Sequence, residues 1–234
     1  TNEVYTNNVT AYDITSWDDN ILAGHSIITN QHYSASSRKG ASYDEKNAFM
    51  DDGESDWRTA YNFYNTTDGL YQHNTWTGPY RGEWIQVDLS ENFIVKNYLI
   101  EGYRSSNASY KKSSPRKGYL LSSLDNKRWR LAHTFNISSN DASEYYNATD
   151  KYRSIYNDVS NNQFSVGRYW RFVIEKVFPG ATNGMCTIRN FKLLGVKETE
   201  ETKTNGQSTK TFVDDYTLTV TPYDLTSNNK SNNR

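Results

Sequence analysis

The run Glu83-Trp84-Ile85-Gln86-Val87-Asp88-Leu89 limits the fold more than any other stretch of this chain. In an extended backbone, Trp84, Gln86 and Asp88 fall on one side and Ile85, Val87 and Leu89 on the other, because side chains in a strand alternate with a period of two. A half-buried β-strand satisfies that pattern, whereas a helix would scatter the apolar residues around its axis. A second apolar run, Phe93–Gly102, follows Ser90-Glu91-Asn92. The short polar interval predicts an antiparallel hairpin. Gly118–Ser122 and Arg128–Thr134 flank the turn signal Asp125-Asn126, which predicts another. Tyr169–Val177 and Thr187–Gly195 read as further strands, as do Val9–Ile14 and Ile21–Thr29 near the start. No stretch has the periodicity of an amphipathic helix of useful length. Several strands at short intervals with long loops predict an antiparallel sandwich or jelly roll.

Composition supports this. The chain holds 19 Tyr, 6 Trp and 9 Phe against 2 Met and 4 Pro, and aromatic and β-branched residues fit a pleated, half-buried surface. Tyr-rich and Asn-rich loops also suit adaptable polar recognition, since each Tyr offers a flat apolar face and a hydroxyl. The formal net charge is -1, which gives no electrostatic case for nucleic acid or an anionic membrane. Cys186 is the one cysteine, so no disulfide can form within the chain. Its apolar-leaning setting, Met185-Cys186-Thr187-Ile188, predicts a buried thiol. No run approaches the ~20 apolar residues of a membrane span. No signal peptide is visible. The first residue is Thr1, as in a processed form or a fragment, so the lack of targeting signals carries little weight.

Residues 30–82 and 136–163 are polar, aromatic-rich and read as long loops, and loops of such length are usually functional or disordered. Residues 197–210 hold no large apolar residue and read as a linker. Beyond it the start of the chain recurs. Tyr5-Thr6-Asn7-Asn8-Val9-Thr10-Ala11-Tyr12-Asp13-Ile14-Thr15-Ser16 matches Tyr216-Thr217-Leu218-Thr219-Val220-Thr221-Pro222-Tyr223-Asp224-Leu225-Thr226-Ser227 at eight of twelve positions without a gap. The organisation expected is one β-sandwich domain over 1–196, a linker over 197–210, and over 211–234 the first strand of a following repeat or a C-terminal extension. Tandem modules gain from multivalency, because a second weak contact becomes intramolecular.

Four signatures stand in order through the middle of the chain: Ala48-Phe49-Met50-Asp51-Asp52-Gly53-Glu54-Ser55-Asp56-Trp57, Glu83–Leu89, Tyr119–Trp129 with its Asp125-Asn126 turn, and the pair Arg168–Ile174 and Ile188–Gly195. Together they resemble the discoidin family, also called the coagulation factor type C domain, and its galactose-binding-like bacterial carbohydrate-binding relatives, over about residues 10–195. The resemblance implies an all-β fold, an antiparallel jelly-roll β-sandwich with long loops, in which loops at one end bind the ligand. It implies a non-catalytic, lectin-like module, secreted or on a cell or virion surface, with a glycan or glycoprotein as partner. The segments 58–82 and 136–163 are longer than in the family, the Asp52-to-Trp57 interval is shorter, the disulfide of the animal members is missing, and Asn190 replaces a Glu.

Carried over by motif position, the ligand-binding candidates are Trp57 and Arg58, then Arg104 and Asn107 with Tyr110 nearby, and Asn183. Tyr80 joins them from the long insertion Tyr61–Arg81, which also carries Tyr64, Tyr71, His73, Trp76 and Arg81. A sugar presents hydroxyls around an apolar face, so flat rings beside fixed Arg and Asn donors are the side chains it needs. Trp84, Trp129 and Trp170 are expected as core or sheet-capping residues, and Trp57 is open to either role. Asp51, Asp52, Glu54 and Asp56 place hard oxygen donors close together, a composition suited to a structural Ca²⁺, which many relatives carry at this segment.

Nothing suggests catalysis. His25, His32, His73 and His133 are scattered, with no metal-ligand or triad spacing and no Gly-rich phosphate loop between a strand and a helix. An alternative reading is a structural or adhesive repeat of an appendage, surface layer or virion, in which the loops meet neighbouring copies. A phospholipid-binding reading ranks below both, because Lys111-Lys112 and Arg116-Lys117 have only Tyr110 as an apolar spike.

Overall fold

The computed structural model describes residues 12–13, 32–50, 55–103, 107–139, 142–147, 151–152 and 154–198. The expected strand Ile21–Thr29, most of Val9–Ile14 and the recurring tail lie outside the described residues.

The strands in chain order are β1 (Tyr12–Asp13), β2 (Tyr33–Ala35), β3 (Trp57–Arg58), β4 (Trp76–Thr77), β5 (Tyr80–Arg81), β6 (Glu83–Glu101), β7 (Pro115–Ser123), β8 (Arg130–Asn136), β9 (Tyr146–Asn147), β10 (Lys151–Tyr152), β11 (Ser154–Asp158), β12 (Val166–Val177), β13 (Thr187–Ile188) and β14 (Asn190–Lys197). All pairings among them are antiparallel. The one α-helix among the described residues, α1 (Ala108–Lys111), is four residues long.

The expected hairpin between Glu83–Leu89 and Phe93–Gly102 does not form. Both runs belong to β6, one bent strand of 19 residues. Its first half lies between β2 and β12, through Gln86↔Ser34 and Gln86↔Arg171. Its second half lies between β14 and β11, through Ile100↔Phe191 and Ile100↔Ile155. The polar interval Ser90-Glu91-Asn92 bends the chain without reversing it. Ser90 takes a positive φ of 65°, and its N–H donates to Asp88 Oδ1 at 2.8 Å. Arg168 clamps the same carboxylate through Nε and Nη2, at 2.7 and 2.8 Å, across the register shift in β12.

That bend makes the sandwich. One layer is β2, the first half of β6, β12, β7 and β8. The other is β1, β14, the second half of β6, and β11. Ile85 and Val87 from the first half and Tyr98 and Ile100 from the second are buried in a single core. Phe172 of β12 crosses between the layers, with its ring 5.7 Å from Phe191 and 6.2 Å from Tyr98. A fully buried Phe contributes about 1.5–3 kcal/mol. The β7–β8 hairpin forms around Asp125-Asn126 as expected, with Asn126 at φ 59°. Cys186 is fully buried, and burial pushes its thiol pKa well up. Trp170 is a core residue. Trp84 and Trp129 cap the outer face, on either side of the Arg171 guanidinium at 3.8 and 4.3 Å. Burial lowers the Arg171 pKa to about 10.

The polar stretches are more ordered than the sequence suggests. Within 136–163, β9 pairs with β10 and β11 joins β6. The thirteenth and fourteenth strands replace the single run Thr187–Gly195: β13 pairs with β3, and β14 enters the main sheet. Lys197 still pairs with Phe93, and the Glu198 N–H bonds to Asn92 O at 2.9 Å, so the first two residues past 196 are tied to the sheet.

Candidate functional site

Three loops converge where β6 ends and β14 begins. Glu101 pairs with Asn190 there. Tyr103 N donates to Ser114 Oγ at 3.0 Å, and Thr187 N to Ser113 O at 2.8 Å. β3 joins the same end through Thr187↔Arg58, and Lys39 N bonds to Arg58 O at 2.8 Å.

These contacts bring rings and cations into one row. The Arg58 guanidinium stands 4.3 Å from the Tyr43 ring centroid and 4.7 Å from that of Tyr103. Lys39 Nζ is 4.6 Å from Tyr43 and 5.1 Å from Tyr61. Tyr110 extends the row, 5.6 Å from Tyr103. The order is therefore Tyr61, Lys39, Tyr43, Arg58, Tyr103, Tyr110. Tyr61 and Tyr110 at its ends are 46% and 41% exposed.

Asp56 fixes the middle of the row. Arg58 donates to it from Nε at 2.7 Å and from Nη2 at 2.8 Å, which turns the Nη1 edge away from the carboxylate. Burial works against the Arg58 charge, but its hydrogen bonds and ion pair with Asp56 outweigh that and raise its pKa. A hydrogen bond with Tyr61 raises the Lys39 pKa. Both cations stay charged at neutral pH, with rings against them.

Of the ligand-binding candidates, the structure places Arg58, Asn107, Tyr110 and Asn183 at this end. Asn107 is exposed and caps α1, its Oδ1 accepting Ser109 N at 2.9 Å. Asn183 is exposed at φ 54°, and its carbonyl accepts Asn62 N at 2.9 Å. Trp57 is a correction. It is 0% exposed, with its indole N–H bound to Ser37 O at 3.0 Å; it supports the site from the core and cannot touch a ligand. Tyr80 is in a separate cluster on the outer face, 4.6 Å from the Tyr119 ring. Arg104, Asp51, Asp52 and Glu54 lie outside the described residues. Of the expected metal ligands only Asp56 is described, and both its oxygens are taken by Arg58.

A scan against protein-family models finds no match, and neither does a search of curated proteins. Solved structures do match. A fragment of a putative chitobiase from Bacteroides thetaiotaomicron is 12% identical, with a TM-score of 0.49 over 78% of this chain and 99% of that one. A family 32 carbohydrate-binding module of a family 31 glycoside hydrolase from Clostridium perfringens is 19% identical, with a TM-score of 0.48 over 71% and 92%. The family 32 module of C. perfringens NanJ, solved in complex with galactose, is 12% identical, with a TM-score of 0.46 over 69% and 91%. All three scores are below 0.5, so the account of the fold rests on the strand order and register.

Lys39, Tyr43, Tyr61 and Tyr103 belong to the row, but sequence motifs did not single them out. Their one signal is a ring or a cation next to a small residue in a loop, as in Gly102-Tyr103 and Lys39-Gly40. The long insertion splits in two. Tyr64 and Tyr71 are buried and pack it down, whereas Trp76 is 52% exposed.

Proposed function

We propose that this chain is a non-catalytic glycan-binding module of the discoidin type, working outside the cell or on a particle surface. The row Tyr61–Lys39–Tyr43–Arg58–Tyr103–Tyr110 at the loop end carries the reading. A pyranose needs a flat apolar face to stack on and charged or amide donors at its rim. From Tyr61 to Tyr103 the row alternates rings and donors. Arg58, Tyr43 and Tyr103 take the central roles, and Tyr110, Asn107 and Asn183 border them. A structural Ca²⁺ in the 51–56 segment would rest on Asp51, Asp52 and Glu54, since Asp56 is committed to Arg58.

A glycan array probed with the whole chain tests this, followed by calorimetric titration with galactose, N-acetylgalactosamine and N-acetylglucosamine. Tyr43→Ala and Arg58→Ala should each weaken the sugar that binds by tenfold or more. An array with no positive glycan, or two variants that bind like the parent, would defeat the proposal.

The adhesive reading has one observation in its favour. Tyr156 is 67% exposed on β11, which among the described residues pairs on one side alone, with β6. Such an edge is open to a neighbouring strand. Sedimentation of the chain at rising concentration distinguishes the two: a strict monomer that binds sugar leaves the glycan reading alone.

A further inference from the structure

The insertion after Tyr61 does more than pack. Its β4–β5 hairpin turns at Gly78, which has φ 59°. One face of it lies on the sandwich: Arg171 Nη1 donates to Thr77 Oγ1 at 2.7 Å, and Tyr80 rests 4.6 Å from Tyr119. Side chains alternate along a strand, so the cross-strand partners Trp76 and Arg81 share the opposite face. Trp76 is the most exposed tryptophan among the described residues, at 52%. It is nonetheless held. Its indole N–H donates to Asn74 Oδ1 at 2.6 Å. The Arg81 guanidinium is 6.0 Å from its ring, and Arg81 Nε donates to His73 O at 2.7 Å.

This surface is continuous with the loop-end row. His73 Nε2 is 3.2 Å from Asn62 O, and the His73 ring is 4.1 Å from that of Phe63. Asn62 follows Tyr61, whose ring lies under Lys39. Contacts thus run without a break from Trp76 through His73, Asn62 and Tyr61 to Tyr43.

We infer that Trp76, flanked by Arg81 and Asn74, is a second sugar platform, and that the ligand is an oligosaccharide chain laid across both platforms rather than a single terminal sugar. The inference rests on the glycan reading above and deepens it. Polar groups, both donors and acceptors, separate the rings between Trp76 and Tyr43. That spacing suits successive sugar units, each with one apolar face and a rim of hydroxyls. A protein hot spot needs instead a contiguous apolar centre sealed from water. Adding a second weak contact to a tethered first one raises affinity without changing the first.

The test is calorimetry on the whole chain with two probe pairs: N-acetylglucosamine against chitohexaose, and galactose against β-1,4-galactotetraose. For the pair that binds, the oligomer should bind at least tenfold tighter than its monomer. Trp76→Ala should remove that gain and leave monomer affinity and melting temperature unchanged, and Trp76→Phe should restore part of the gain. Tyr43→Ala should weaken both ligands. If monomer and oligomer bind equally, or Trp76→Ala leaves the oligomer unaffected, the second platform is wrong while the loop-end site stands. If no probe binds and the array is blank, the glycan reading fails and takes this inference with it.

Discussion

Arg58 and Asp56 form a two-toothed ion pair, with Nε and Nη2 of the guanidinium at 2.7 and 2.8 Å from the two carboxylate oxygens. Their side chains are only 14% and 5% exposed. The pair joins the core side of β3 to the row of rings above it. Asp56→Asn keeps the shape but leaves a largely buried guanidinium without its counter-charge, a loss on the order of 3 kcal/mol. Thermal denaturation should show the drop. Sugar affinity should fall about tenfold, because Arg58 loses its orientation. Arg58→Lys should preserve charge yet lose the fork geometry, and so bind like the Asn variant. Two variants that melt and bind like the parent would show the pair to be idle.

A second polar knot pins the insertion. Glu83 is fully buried at the start of β6. The Tyr71 hydroxyl donates to its Oε1 at 2.7 Å, and Ser37 Oγ bonds its Oε2. Ser37 Oγ also accepts Ala60 N at 3.2 Å, so the knot ties the insertion to the strand carrying Arg58. Tyr71→Phe removes one donor from a buried carboxylate, which costs about 1–3 kcal/mol. The urea midpoint should fall with an unchanged slope, and protease should cut the 61–82 segment sooner. A variant as stable and resistant as the parent contradicts this.

Much of the fold was legible because alternation survives burial. Ile85, Val87 and Leu89 face the core as their spacing requires. The hairpin at Ser90-Glu91-Asn92 was misread because a polar interval signals a change of direction, not which strands pair afterwards. Asp88, clamped by a residue 80 positions away, decides that the strand bends. The site was less legible. Arg58 carried a motif position, but Tyr43 and Tyr103 gain meaning only when three loops meet around its guanidinium. Trp57 followed the same motif and went to the core, where its indole N–H is satisfied by the Ser37 carbonyl.

Gly184 gives a steric prediction. It has φ +56°, and a Cβ there would stand 2.2 Å from Tyr64 O. The same glycine's carbonyl accepts Phe63 N and Tyr64 N at 3.0 and 2.9 Å, which docks the insertion against the Asn183 turn. Gly184→Ala combines backbone strain with a backbone clash, and should cost more than about 1 kcal/mol. Melting temperature should fall, and the Trp76-dependent gain in oligosaccharide affinity should shrink with it. An alanine variant of unchanged stability would mean that the turn moves freely.

His133 sets a pH dependence of stability whose sign follows from its surroundings. Its Nδ1 is 2.8 Å from the Tyr98 hydroxyl, and Tyr98 is buried. Burial lowers the His133 pKa below the ordinary 6.5, and raises that of Tyr98, which stays protonated. With Nδ1 unprotonated, the neutral imidazole accepts a hydrogen bond from the tyrosine hydroxyl; imidazolium has no free lone pair to accept it, so the hydroxyl must turn round. A histidine whose folded pKa lies below its unfolded one takes up its proton more readily in the unfolded chain. Its contribution is therefore complete above about pH 6.5 and is lost as pH falls through that value towards the folded pKa. His133→Gln keeps an acceptor for Tyr98 but does not titrate. Urea midpoints of the parent and the variant, measured from about pH 8 to about pH 5, cancel the other groups in their difference. The parent's advantage should shrink on the acid side of about pH 6.5, and a constant difference would remove His133 as its source.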